Sequence, residues 1–232
     1  MRRLLPILVL SLFATFCFAR NSEKVIWHRS YFVSIGLDVV FSAAGDLDGK
    51  RFYKADGDDG NAEERVYVPS IGTFPLPLIE AGVNFNQHTI AIAFGIWNPD
   101  VSYAKETEDE TGNDANFWRF SAEYRYYFFW PEDFQIGPGL GYSFSRLSVK
   151  DAAFGSDKYG SGFREDAVYA GNAFAISANM RYKMRPFGMD IALRYRPMFI
   201  RSVSTDSGGY SDLSETLWHH SLEFSGKVFV EF

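Results

Sequence analysis

Between positions 31 and 41 the chain alternates strictly. Tyr31, Val33, Ile35, Leu37, Val39 and Phe41 share one face, and Phe32, Ser34, Gly36, Asp38 and Val40 share the other. A period of two marks a strand with two unlike faces, because successive side chains leave a pleated backbone on opposite sides. The pattern recurs over 77–85, 89–96, 117–130, 134–144, 168–184, 189–199 and 217–232, which predicts eight strands and an all-β fold. The second of these is the weakest, because Pro69, Pro75 and Pro77, before and at its start, lack the N–H that a ladder needs and suit a loop or a membrane rim better.

The connections alternate in length. Segments 86–88, 131–133 and 185–188 are short, whereas 45–76, 97–116, 145–167 and 200–216 are long and polar. Short turns at one end and long loops at the other are the plan of an eight-stranded antiparallel up-and-down transmembrane β-barrel, with periplasmic turns and extracellular loops.

Charge sharpens this reading. None of the positions on the apolar parity of these strands is charged, although 22% of the chain is Asp, Glu, Lys or Arg. The opposite parity carries the acids Asp38, Glu80, Glu123, Asp190, Glu223 and Glu231 and the bases Arg119, Arg125, Arg181, Lys183, Arg194, Arg196 and Lys227. A water-soluble barrel would show the same alternation turned inside out, so parity alone does not say which face meets water. Volume does. Counting the last strand from Leu222, the apolar parity contains nineteen aromatic residues, more than the interior of an eight-stranded barrel holds, whereas the other parity offers Gly137, Gly139, Gly141, Gly171, Ala173, Ala175 and Ser177. Hydrocarbon is therefore expected outside and the charges inside. Trp130, Phe134, Phe85, Trp218 and Tyr31, near strand ends, suit interfacial girdles.

The chain start carries a different signal. Arg2 and Arg3 precede an apolar run from Leu4 to Phe16 and a small-x-small site at Cys17-Phe18-Ala19, so residues 1–19 read as a cleaved secretory signal peptide and 20–232 as the barrel domain. Cys17, the one cysteine, does not make a lipoprotein site, because the preceding Phe16 is too bulky. No later stretch approaches the roughly 18 apolar residues of a spanning helix. A net charge of −6 argues against nucleic acid as a partner.

The last residues are Val228-Phe229-Val230-Glu231-Phe232. With this ending, the chain resembles small eight-stranded bacterial outer-membrane barrels, such as the transmembrane domain of outer membrane protein A and the adhesin-like small barrels, whose last strand closes on an aromatic. The resemblance implies a Gram-negative outer membrane, with lipid and lipopolysaccharide around the barrel and Val230 and Phe232 read by the barrel assembly machinery. The family's glycine five residues before the end is Lys227 here, with Gly226 one place early. No motif picks out a subfamily.

Three candidate chemistries follow. His219, Ser221 and Glu223 share one face of the last strand and suggest a hydrogen-bonded row that activates the serine. The spacing is similar to the His-x-Ser of outer-membrane lipid A deacylases, yet parity aims the row into the lumen, where polar lining is the plainer explanation. His220, of outward parity, reads as a rim residue. Asp56, Asp58, Asp59, Asn61, Glu63 and Glu64 offer hard oxygens to a metal, but Gly60 occupies the third ligand position of a helix-loop-helix calcium loop. Glu106, Glu108, Asp109, Glu110 and Asp114 form a second cluster; a solvated acidic surface accounts for both, and weak bridging by divalent cations to anionic glycolipid is the rival. The thirteen lumen charges must pair, since an unpaired buried charge costs several kcal/mol. Paired, they form a plug; the rival is a narrow ion path set by charged rings.

No phosphate loop, zinc spacing or nucleotide motif implies a cofactor. Three functions compete: a structural or surface-interaction barrel displaying four acidic loops to an extracellular ligand, a lipid-modifying hydrolase at His219 and Ser221, and a narrow pore. The first is favoured because it asks least of the residues.

Overall fold

The computed structural model describes residues 28–47, 52–56, 63–67, 69–102, 114–130, 132–156, 162–205 and 210–232, with 52–56, 63–67, 153–156, 162–165, 205 and 210–215 described through their backbone alone. Twelve strands follow in chain order: β1 (Arg29–Gly45), β2 (Phe52–Asp56), β3 (Glu63–Tyr67), β4 (Ser70–Ile71), β5 (Phe74–Phe85), β6 (His88–Trp97), β7 (Val101–Ser102), β8 (Ala115–Tyr126), β9 (Phe134–Ser156), β10 (Gly162–Met184), β11 (Phe187–Thr205) and β12 (Tyr210–Glu231). Eight of them form the wall in the order β1-β5-β6-β8-β9-β10-β11-β12, and β12 pairs back onto β1. Every wall pairing is antiparallel. The closing seam runs from Phe32↔Glu231 to Gly45↔His219. Below it, Tyr31 and Phe232 exchange both backbone hydrogen bonds at 2.9 Å, and their rings stack 6.4 Å apart. No edge is left in the ring, which is the condition for a sheet to stand in hydrocarbon.

The wall matches the eight expected strands, with three corrections. The second wall strand, β5, starts at Phe74, so Pro75 and Pro77 lie within it, paired with Val39 and Leu37 of β1. They are tolerated because the β5–β6 ladder starts only at Leu78↔Gly95, which leaves the proline stretch paired on one flank. The strand expected over 117–130 ends at Tyr126, since Phe129 takes a φ of 59°, which extended backbone does not allow, and only an isolated Phe128↔Ile136 bridge continues the pairing. Finally, much of the expected 145–167 and 200–216 loops is strand: β9 and β10 pair out to Phe154↔Phe163 and Gly155↔Gly162, and β11 and β12 out to Ser204↔Tyr210. The excursions at this end are long but carried by hairpin arms. The β2–β3 hairpin closes a second circuit over them, pairing β12 through Leu213↔Ala55 and β9 through Glu64↔Ser156, Arg65↔Gly155 and Val66↔Phe154.

Burial fixes the orientation of the wall. Ile35, Ile79, Leu140, Phe174 and Ile176 are exposed, Ile176 at 62%, whereas Arg125 and Arg194 are 1% and 2% exposed. Tyr124 and Phe128 point outward and Trp118 is half-buried on the same face. A soluble barrel would reverse this arrangement. The exposed face is a continuous apolar surface, as a transmembrane barrel requires.

Candidate functional site

Among the described residues, polar chemistry is concentrated in the lumen, because the inward positions of the eight strands converge there. All thirteen inward charges named from the sequence lie in it, and each acid meets at least one base. They stack in three tiers.

At the short-turn end Lys183 Nζ lies 3.1 Å from Glu231, whose carboxylate also accepts from Ser30 and, at 3.1 Å, from Asn84. Just above, Arg181 donates through Nε and Nη2 to the two oxygens of Asp190 at 2.7 and 2.8 Å, the fork geometry that favours arginine over lysine. Its guanidinium carbon lies 4.6, 4.9 and 5.3 Å from the ring centres of Tyr127, Phe229 and Phe32. This aromatic cage replaces part of the hydration that the buried cation gives up.

The middle tier turns on Arg125. Its Nη2 lies 2.5 Å from Glu80 and 2.6 Å from Glu123, and Lys227 Nζ lies 2.5 Å from Glu80. Glu123 also accepts from Ser177 Oγ at 2.9 Å and from Arg194 Nε at 3.4 Å, and Arg194 reaches up to Asp38 at 3.2 Å. In the upper tier Arg119 bridges Asp38 and Glu223 at 2.5 Å each, while Arg196 holds Glu223 at 2.9 Å and Ser143 Oγ at 2.7 Å. The lumen glycines give these side chains their room: a Cβ on Gly139 would run into Ser177 Oγ.

Above the charges the lumen changes character. Val40, Leu76, Phe117, Leu147, Tyr169, Met198, Ile200 and Leu217 from the wall join Leu47, Ile71 and Val101 from the outer connections in one buried apolar cluster. The sequence pattern gives only long polar loops at this end and does not show this cap. Its signal was single apolar residues in otherwise polar loops, of which Ile71 and Val101 also pair β4 with β7. Between the charged residues Asp38, Glu80, Glu123, Arg194, Arg196 and Lys227 a cavity of about 10 Å³ remains, room for about one water molecule.

His219, Ser221 and Glu223 do share the inward face of β12, all buried. They do not assemble as a relay. Ser221 Oγ lies 3.2 Å from the Arg196 carbonyl oxygen and 3.4 Å from Glu223, and His219 Nδ1 has no hydrogen-bond partner among the described residues. Register is the reason: Ser221 stands opposite Arg196, whereas His219 stands between Gly45 and Met198, which offer its ring no polar side chain. His220 faces outward, its ring stacked with Tyr195 and Trp218 and its Nδ1 2.7 Å from Tyr195 Oη. Val230 pairs with Val33 and Phe187 on either side of the last strand, and Phe232 closes the seam. The expected signal peptide over 1–19, Asp58, Asp59 and the second acidic cluster up to Asp109 and Glu110 lie outside the described residues, as does the side chain of Asp56.

These features define a class: a closed eight-stranded transmembrane β-barrel with an apolar outer wall and an ion-paired, side-chain-filled interior. Its fold is similar to that of the outer membrane protein OprG from Pseudomonas aeruginosa, at 12% identity and a TM-score of 0.54 over 89% of this chain and 97% of that one. Neisserial surface protein A (16% identity, TM-score 0.49, 88% and 99% of the two chains) and a major outer membrane protein from Thermus thermophilus (8%, 0.48, 87% and 99%) are further similar structures. No protein-family model matches the sequence, and no curated protein sequence does either.

Proposed function

We propose that this chain is an outer-membrane barrel with a closed interior, whose task is performed by the surface it presents outside the cell rather than by passage through its lumen. The observation that carries this reading is the filled cross-section: three ion-paired tiers, an apolar cap, and about 10 Å³ of space between the charges. An ion path needs a continuous polar route, and an eight-stranded ring of this kind is filled by its own side chains. Export by the signal peptide, insertion through Val230 and Phe232, and an extracellular ligand met by the acidic loops belong to the same reading. Single-channel recording of the refolded protein in planar bilayers tests it. The expected record has no discrete conductance, and reproducible steps that are absent from protein-free bilayers would overturn the closed barrel.

The hydrolase alternative finds little support in a Ser221 hydroxyl turned toward Arg196 and Glu223. Mass spectrometry of lipid A from cells with and without the protein is expected to find identical acyl chains, and a loss of one chain that disappears with Ser221→Ala would reverse this.

A further inference from the structure

We infer that the outer wall carries a site for the phosphate-bearing head of an outer-leaflet glycolipid, built on Arg146 and Arg201. The inference rests on the outer-membrane location proposed above.

Height comes first. Ten residue steps along β9 from Phe134 to Phe144, at a rise of about 3.3 Å and a tilt of about 40°, cover about 25 Å, the height of a typical apolar band. Phe144 belongs to a row of rings on the outer face, 5.5 Å from Trp118, and Phe174, Phe199 and Trp218 extend the row at 6.3 and 5.8 Å. Arg146 and Arg201 are the next outward positions above Phe144 and Phe199, so both stand at headgroup level.

Their spacing is fixed by the strand between them. Arg146 pairs with Ala170, Ala170 pairs with Ser202, and the register shift between Ile200 and Ser202 leaves Arg201 as the extra residue of a bulge. A bulge re-aims a side chain that regular pairing would hold in line. Two strand spacings separate the arginine backbones by about 10 Å, with the small Ala170 as the floor. Both side chains are exposed, and among the described residues neither meets a carboxylate; Arg201 lies 5.8 Å over the Phe199 ring. The acid next along β10, Asp166, is engaged by the Asp151 backbone N–H at 3.1 Å. The contrast with the lumen is instructive, because there every arginine is ion-paired. Guanidinium groups recognise phosphate through paired N–H donors, and the rings below offer acyl chains a flat apolar seat.

Native mass spectrometry of the detergent-folded protein with bisphosphorylated lipid A tests the site, with fully dephosphorylated lipid A and inorganic phosphate as comparison probes. Arg146→Ala and Arg201→Ala are each expected to weaken binding roughly fivefold at low salt, the double variant more, and Arg185→Ala at the opposite end not at all. Gel mobility before and after boiling verifies that each variant is folded. Equal binding of the phosphorylated and dephosphorylated lipids, or a double variant that binds like the parent, would overturn the site. Displacement of the lipid by inorganic phosphate at equal concentration would overturn the assignment to a lipid. None of these outcomes depends on conductance, so the closed-barrel reading stands or falls separately.

Discussion

Arg181 illustrates how single residues hold the interior. Its guanidinium pairs both oxygens of Asp190 and sits among three rings, and among the described residues Asp190 makes one other ion pair, with Arg125 at 3.5 Å, since Lys227 opposite it on β12 is turned to Glu80. Arg181→Met would leave a buried carboxylate with that distant partner, at a cost of about 3–5 kcal/mol, whereas Arg181→Met with Asp190→Leu removes both charges and is expected to lie far closer to the parent. Urea unfolding in lipid vesicles measures both, and equal losses in single and double variants would contradict the pairing. Gly188 is a second such position: a Cβ there would overlap the ring of Phe229, which is boxed in by Phe32 at 6.1 Å and by Arg181. Gly188→Ala should cost about 1–3 kcal/mol by overpacking, and Phe229→Leu in the same chain should recover part of it. At this scale the sequence revealed which residues turn inward but not their partners. Arg119 meets Asp38 and Glu223, far from it along the chain, because the stagger of tilted strands sets the neighbours, and stagger leaves no mark on the period-two pattern.

Elements were more legible than contacts. Alternation identifies a wall strand because one face is hydrocarbon and the other is filled with charge, a contrast that survives any registry. The pattern fades where that contrast ends. Beyond residues 145 and 200 the strands leave the apolar band and the contrast reverses, with Leu147, Val149 and Ile200 turned inward and Arg146, Lys150 and Arg201 outward, so the hairpin arms and the β2–β3 circuit read as loop although the backbone remains paired. The apolar cap was hidden for the opposite reason, since Leu47, Ile71 and Val101 are isolated in sequence and cluster only when the ring closes. The closing strand carries the prediction for this scale. Phe232 contributes two backbone bonds and a stacked ring at the seam with Tyr31. Phe232→Ala keeps the backbone bonds, so refolding into vesicles should remain near the parent level, while the heat-modifiable fraction in cells should fall severalfold if the terminal aromatic is read during insertion. Equal losses in vesicles and in cells would assign Phe232 to packing alone.

For the whole molecule, the decisive quantity is the sign of the transfer energy of the outer wall. Ile176 lies midway along β10, paired with Leu140 and Tyr195, and is among the most exposed apolar side chains of the structure. An arginine near the bilayer midplane of a barrel costs about 2–4 kcal/mol, falling to about 0–1 kcal/mol near an interface. Ile176→Arg should therefore destabilise the protein by the larger amount and Phe187→Arg, at the short β10–β11 turn, by the smaller one, with unfolding in vesicles as the readout. In a barrel surrounded by water the same two changes would replace exposed apolar side chains by charged ones and leave stability unchanged or improved. The depth dependence thus separates a lipid-embedded wall from a wetted one without reference to the lumen. It also bears on the outward arginines: a wall that penalises arginine at Ile176 but tolerates it at Phe187 accepts the charge only at its rims, where Arg29 stands at one end and Arg146 and Arg201 at the other.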